Sequence, residues 1–581
     1  METRWCVAEK IQDTFKEHFK EIHEDLLQLF FNRSLVAQSD IDNFLNPDYR
    51  QNLHSPFLFQ DMHLLVERVK RAAEKNEKVL IYGDYDADGV CSSVALKEAL
   101  KNFGVEYCDL YLPHRETEGY GLNSGTVSYI QEHNYDLLIT VDCGTTNAAE
   151  LSVLKSLNID VIVCDHHVAP EEKPPCLAFI NPRFKKDTYP YEHLASGGVI
   201  YKVMQALAEK KDEFAKATDL PDGFEKWALD LVAIATVADM MPLVGENRVL
   251  VRYGLVVLNK TRRTGLKALI EKAKCISGIL DTYHIGFILA PRLNAAGRMD
   301  HANTAVYLLQ ETNYKKALEI AEELNQTNAE RQAVTERIVR SAIEQIEQHK
   351  TRDKVIVVAN TSEGEWPTGV VGLAAGRISQ KYNRPVCVIG RSSTGVTGSG
   401  RSIPPFDITA ALKQCAHLLE KFGGHPQACG FTLKSEDIVS EFRSAINKIA
   451  DQQMSEDDLI SVLALDMEIA FERLTWQFFD DIQTMKPFGQ GNQKPRFASF
   501  HVLVIALQLV GADKQHLRLT LSQKNIQKKA IAFGFGHIAS DETKFPIRAG
   551  SFIDIAFEFE VNEWNGNREL QLNIVDIKIQ Q

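Results

Sequence analysis

The stretch 79–94, Val-Leu-Ile-Tyr-Gly-Asp-Tyr-Asp-Ala-Asp-Gly-Val-Cys-Ser-Ser-Val, constrains the fold of this chain more than any other. A β-prone apolar run (79–82) ends in three acids at alternate positions, Asp84, Asp86 and Asp88. Gly89 and two serines then lead to a helix start at Val94-Ala95-Leu96. Such a strand–turn–helix unit puts its turn at the carboxyl end of the strand, where open α/β sheets bind ligands. Three carboxylates packed this closely repel one another, and a cation is the usual reason to keep them. Hard oxygen ligands suit Mg²⁺ or Mn²⁺. A solvated acidic turn is the plain alternative. A Ca²⁺ loop of EF-hand type fails, because no Glu stands at the twelfth loop position and a strand precedes.

Two further apolar runs end the same way. Residues 137–141 run into Asp142-Cys143-Gly144, and 161–164 into Asp165-His166-His167. A fourth acid, Asp239, follows a helix-like apolar run at 231–238. With another run at 177–180 and helical stretches between them, a mostly parallel sheet is expected over 60–245. Each strand-end signal is weak alone. Together they bring acids and imidazoles to equivalent ends of neighbouring strands.

At 581 residues the chain is long enough for several domains. No run of about 18 apolar residues suggests a membrane span, and the N-terminus has no signal-peptide pattern, so a bacterial cytoplasmic location is expected. Ten scattered cysteines without a C-x-x-C pair argue against a zinc ribbon or a disulfide framework. Cys164 and Cys387 read as small core residues. A net charge of −13 excludes a basic coat but leaves room for a local basic groove.

Residues 1–50 show helical apolar spacing (Phe15, Phe19, Ile22, Leu26, Leu29) and read as a helical N-terminal cap. Residues 284–300 read as a loop rich in Gly, Arg and Asn, and 303–349 as a helical connector whose charges form a solvated face. Strands return from 353. Two glycine-rich stretches, 397–402 and 422–431, carry Ser399, Arg401 and His425. Ordinary hairpins would account for the glycines; contact with phosphate or sugar would also account for the Arg and His. From 460 onward the pattern is β, with Ile553, Ile555, Phe557, Phe559 and Val561 alternating before an Asn565-Gly566 turn. A small barrel of OB type is expected there. Lys514, His516, Arg518, Lys528 and Lys529 face either a phosphate backbone or solvent.

Asp84-Tyr85-Asp86-Ala87-Asp88-Gly89, Val141-Asp142-Cys143-Gly144, Asp165-His166-His167 and Thr236-Val237-Ala238-Asp239 resemble the four metal motifs of the DHH phosphoesterases. The segments 113–122, 290–298, 398–402, 422–425 and 487–492 narrow the resemblance to that family's bacterial single-strand-specific DNA exonucleases.

The resemblance implies an α/β architecture: a parallel-sheet DHH domain and a smaller α/β DHHA1 domain joined by a long helix, with a C-terminal OB-like β-barrel. The expected divisions are a cap (1–50), DHH domain (51–302), connecting helix (303–350), DHHA1 domain (351–458) and OB-fold (459–581). It implies a 5′-to-3′ exonuclease that hydrolyses single-stranded DNA to 5′-mononucleotides with two Mn²⁺ (or Mg²⁺) ions, in DNA repair and recombination. Asp86 and Asp142 would hold one ion, with Asp84 helping. Asp88, Asp142, His166 and Asp239 would hold the other. Asp165 and His167 would orient ligands or contact phosphate. Arg115, Ser399 and Arg401 would take the 5′-phosphate, Arg298 and His425 the scissile phosphate, and Tyr120 would stack a base or sit in the core.

A helicase and a single-strand-binding protein are the implied partners, and a monomer the implied state. Two departures stand out. Many relatives place a His where Tyr82 stands, and a His follows the Trp where Pro367 follows Trp366. A DHH phosphodiesterase for short oligonucleotides or cyclic dinucleotides is the alternative activity, and a non-catalytic DNA-binding scaffold of the same fold the alternative class.

Overall fold

The computed structural model describes residues 3–349, 353–362, 364–392, 395–539, 546–564 and 566–579. They form two compact units, Tyr49–Ile460 and a second made of Glu2–Asp48 with Ser461–Gln581.

The first unit is built on a five-stranded parallel sheet. Its strand order is Cys108–Tyr111, Val79–Gly83, Leu137–Val141, Asp160–Cys164, Ala178–Ile180. Val79–Gly83 and Leu137–Val141 are buried at every position, as strands covered by helices on both faces must be. The chain leaves Val79–Gly83 towards one edge and later returns on its other side as Leu137–Val141. The point where strand order reverses therefore lies between the two, and open α/β sheets bind their ligands there. The helix Ala87–Asn102 begins seven residues before the expected Val94 start, because Asp86 caps it: its side chain accepts the Asp88 and Gly89 amides.

Residues 284–300 are helical rather than a loop. A π-helical turn, His284–Leu289, runs into an α-helix, Ala290–Met299. Pro291 lies in the first turn of that α-helix, where a missing N–H costs little. Gly297 is there for clearance, since a Cβ would stand 2.6 Å from the Tyr85 carbonyl oxygen. The expected connecting helix is two helices, Asn303–Gln310 and Tyr314–His349.

A second, mixed sheet follows, with the glycine-rich stretches as strands. Gly395–Arg401 pairs with Ala428–Leu433, which forms a hairpin with Leu419–His425. The glycines lie in the strands rather than the turns, and Gly398 and Gly400 leave room for Phe431 and Cys429 on the neighbouring strand. Pro367 is the N-cap of the helix Thr368–Tyr382, beside a buried Trp366.

In the second unit, Arg496–Val510 pairs with both His516–Gln523 and Phe552–Trp564, which closes a five-stranded barrel. Ile526–Ala532 and Asn567–Ile579 run parallel, the one such pair in an otherwise antiparallel ring. Ile553, Ile555, Phe557 and Phe559 are buried, as their alternation requires. In the turn between the last two strands Gly566 has φ +79, whereas Asn565 lies outside the described residues. The N-terminal segment is not a separate helical cap. It opens with a strand, Thr3–Val7, paired in parallel with Ser461–Leu465, and its Leu27, Leu29 and Phe30 pack into the barrel core.

Candidate metal centre

The carboxyl ends of the central strands gather the acids. Asp84, Asp86 and Asp142 present carboxylate oxygens within 4.8 Å of one another, as do ligand atoms of Asp88, His166 and Asp239, and of Asp142, Asp165, His166 and His167. His166 Nε2 stands 3.2 Å from Asp142 Oδ1, 3.6 Å from Asp239 Oδ2 and 3.9 Å from Asp88 Oδ2. Asp142 has φ +63, a left-handed conformation that a non-glycine residue keeps only where its surroundings impose it.

The surroundings do so. Ser196 Oγ donates to Asp142 Oδ1 at 2.8 Å, and the Ser196 and Gly197 amides donate to Asp88. Both acids therefore receive groups from the start of the helix Ser196–Glu209. Gly89 admits Asp84, whose carbonyl oxygen would lie 2.4 Å from any Cβ at that position.

The electrostatics divide the cluster. Burial and then Asp86 push Asp84 up to about 8, and the same two causes push Asp88 up to about 7. Burial, then Asp88 and Asp86, raise Asp239 to about 8 and Asp142 well above the usual carboxylate range. Asp84 Oδ1 is buried without a hydrogen-bond partner. Acids that repel one another in a buried site, around an imidazole kept neutral, fit divalent cations. His166 is that imidazole, lowered to about 3 by burial and by His167.

Asp165 is different. Burial raises its pKa, but the His167 ring bond at 2.8 Å and its other donors outweigh that and hold it below the usual range. In return it lifts His167 to about 9 against burial. Buried Asp165 and half-buried His167 form an ion pair beside the acids. Tyr82 is buried and donates to the Gly121 carbonyl at 2.9 Å, so it is no ligand, and Asp84 occupies the centre instead.

A cleft of about 700 Å³ opens beside the cluster between the two sheets, lined among others by Tyr85, Arg115, Tyr120, Thr368 and Ser399. Arg115 stacks over the Tyr85 ring at 4.2 Å. Arg401 donates to Ser399 Oγ at 3.1 Å. Arg298 donates to the Gly369 carbonyl, and burial, then Arg115, Arg331 and Arg401, depress its pKa. Arg115, Arg331 and Arg401 thus lie close enough to Arg298 to act on it together, in a region whose cleft lining also carries Glu116 and Glu118. Tyr120 is half exposed. Its hydroxyl donates to the Asp142 carbonyl at 3.0 Å and stands 3.1 Å from His167 Nδ1. His425 lies at the exposed end of its hairpin, close enough to His167 to lower its own pKa, after burial.

Residues 78–236 match the DHH family N-terminal domain, 352–452 the DHHA1 domain and 465–576 the RecJ OB domain. The single-stranded-DNA-specific exonuclease RecJ of Bacillus subtilis is 36% identical, covering 100% of this chain and 71% of that protein. The chain belongs to the RecJ family. RecJ of Haemophilus influenzae is 31% identical, covering 95% of each chain. The crystal structure of RecJ from Thermus thermophilus in complex with Mn²⁺ superposes with a TM-score of 0.83 at 26% identity, covering all of this chain and 80% of that one.

Three residues of this RecJ-family centre escape a reading of the sequence. Ser196 and Asn294 act through contacts made only in the fold: Ser196 holds Asp142, and Asn294 accepts the Ala87 amide at 2.7 Å. The charge of Arg183 acts on His166, Asp239 and His425 alike, lowering each after larger causes. Ser196 and Arg183 stand in no segment that the sequence singles out, and Asn294, within 290–298, gives no sign there of its partner Ala87. Of the basic residues noted in the barrel, Lys529 pairs with Glu569 at 2.8 Å and Lys528 donates to the Leu474 carbonyl. Among the described residues no helix is long and apolar enough to cross a membrane.

Proposed function

We propose that the chain hydrolyses single-stranded DNA from its 5′ end to 5′-mononucleotides, using two divalent cations, Mn²⁺ or Mg²⁺. One observation carries the reading: Asp142 belongs at once to the carboxylate group of Asp84 and Asp86 and to the imidazole side of the cluster around His166. A residue so placed suits a bridging ligand. Asp84 and Asp86 would complete one ion's set, and Asp88, His166 and Asp239 the other's. When bound, two such ions stabilise charge on a phosphodiester and lower the pKa of water towards neutrality.

The chain's own residues do the rest. Ser196 and the Gly197 amide fix the carboxylates of Asp142 and Asp88. Asp165 keeps His167 cationic, ready to hold a phosphate oxygen beside Asp142. Arg298 and His425 take the scissile phosphate. Arg115, Ser399 and Arg401 take the terminal 5′-phosphate, Arg offering paired donors that match its oxygens. Tyr120 presents a ring face to the cleft as a stacking surface for the terminal base. The closed barrel is a strand-binding module. The setting is cytoplasmic DNA repair and recombination in a bacterium, as a monomer that follows a helicase and meets single-strand-binding protein.

The test uses single-stranded DNA labelled at either end, with a 5′-phosphate and Mn²⁺, on the wild type and Asp142→Ala. Progressive release of mononucleotides from the 5′ end by the wild type alone is the expected result. Hydrolysis confined to di- to pentanucleotides would move the chain to the short-oligonucleotide phosphodiesterases.

A further inference from the structure

We propose that Tyr283 and Phe287 form a stacking platform for the bases of the DNA strand downstream of the scissile phosphate. The proposal rests on the single-strand exonuclease reading and extends the substrate's path past the cleft.

Both rings are exposed, Tyr283 by 59% and Phe287 by 71%. They lie 5.0 Å apart at 28° to each other, so their faces are already aligned. Phe287 lies in the π-helical turn and Tyr283 immediately precedes it. Such turns are rare and often mark functional sites. This one is anchored, because Gly286 faces Val237 on the helix Leu229–Ala238, whose C-cap is Asp239.

The turn continues into the helix Ala290–Met299, whose two sides do different things. Leu289, Leu293 and Ala296 face the core. Phe287, Asn294 and Arg298, spaced by seven and then four residues, share the opposite side. Asn294 on that side holds the metal-binding turn, and Arg298 reaches Gly369 under the second sheet. One helix side thus runs from a cationic, closed end at Arg298 to an open, aromatic end at Phe287. At 1.5 Å per residue the two ends are about 16 Å apart, room for a few nucleotides.

A net charge of −13 gives the chain little general attraction for phosphate. Rings suit that situation, since every base offers a π-face whatever its sequence. The helix side it shares with Asn294, which holds the acid-bearing turn, and with Arg298, which bonds the cleft-lining Gly369, favours a nucleic-acid strand over a protein partner as the occupant.

The test compares the wild type, the Tyr283→Ala/Phe287→Ala double variant and Phe287→Trp on a 5′-phosphorylated thymidine 20-mer and a 5′-phosphorylated dinucleotide. The double variant is expected to raise KM for the 20-mer roughly 10-fold, the loss of about one stacked base, with kcat unchanged. Dinucleotide hydrolysis should be unaffected, Phe287→Trp should keep the wild-type KM, and its added tryptophan fluorescence should fall when the strand binds. A 20-mer whose downstream sugars lack bases should bind wild type and double variant alike. An unchanged KM for the 20-mer overturns the proposal and leaves the patch to a protein. An equal loss on both substrates also overturns it, as a structural defect would. If the wild type cuts the dinucleotide and never the 20-mer, the exonuclease reading itself falls, and the platform with it.

Discussion

The Asn294 side chain accepts the Ala87 amide at 2.7 Å, across 207 residues of sequence. Ala87 follows Asp86 and precedes Asp88, so one side chain from the helix Ala290–Met299 sets the backbone between two of the acids. Asn294→Ala should leave every acid in place and loosen its aim. Losses at such supporting positions are typically about 10- to 100-fold in metal affinity or activity. A Mn²⁺ titration of activity should show the half-saturating concentration rising by that factor, with melting temperature little changed.

The raised acids make a pH prediction. Asp84, Asp88 and Asp239 have folded pKa values of about 8, 7 and 8 against an ordinary 3.8. Their protonated forms are favoured by the fold. Without divalent ions, that contribution to stability is full below about pH 4 and is lost as pH rises through 7 to 8. In chelator the melting temperature should therefore fall between pH 6 and 9. Added Mn²⁺ should stabilise more at pH 9 than at pH 6, because binding no longer has protons to displace. Asp84→Asn should flatten the chelator profile. A melting temperature in chelator independent of pH over this range would contradict the cluster's electrostatics.

Arg401 and Ser399 define a third expectation. Hydrogen bonds to charged groups are worth about 1.5–3 kcal/mol each. Arg401→Ala should raise KM for a 5′-phosphorylated strand roughly 10- to 100-fold and leave a 5′-hydroxyl strand nearly unchanged. Steady-state kinetics on the two end groups would show it. Equal effects on both would place Arg401 elsewhere on the substrate.

Further along the helix that Ser196 opens, Lys202 and Glu246 form a fully buried ion pair at 2.6 Å; Lys202 also donates to the His54 carbonyl, and Tyr189 donates to Glu246. Removing one partner strands the other's charge, at a cost of about 3–5 kcal/mol. Glu246→Leu should lower the denaturation midpoint of the Tyr49–Ile460 unit markedly. Glu246→Leu with Lys202→Met should recover most of it, and specific activity per folded molecule should not move.

The acids and histidines of the centre are legible in the sequence because their signal is local. A β-prone run ending in Asp is a strand end, and parallel strands put their ends together. The parallel sheet and closed barrel follow from the same periodicities. What contacts decide is not legible. Nothing around Asn294 or Ser196 announces a partner more than fifty residues away. Residues 284–300 mislead because Gly286, Pro291 and Gly297 are turn formers by composition. In the fold Gly297 instead clears the Tyr85 carbonyl, and Pro291 stands where helices tolerate it. The N-terminal segment misleads for a related reason: its apolar spacing fixes which side is buried, not against what.

The pairing of Thr3–Val7 with Ser461–Leu465 sets an order of events during translation. The first strand precedes its partner by about 450 residues, roughly 23–90 s at 5–20 residues per second. Through that interval Leu29 and Phe30, destined for the barrel core, have no core to enter. The whole Tyr49–Ile460 unit emerges in the meantime and can complete its acid cluster. The nascent chain can thus complete its chemical centre before its barrel, with Leu29 and Phe30 uncovered until the last strands arrive.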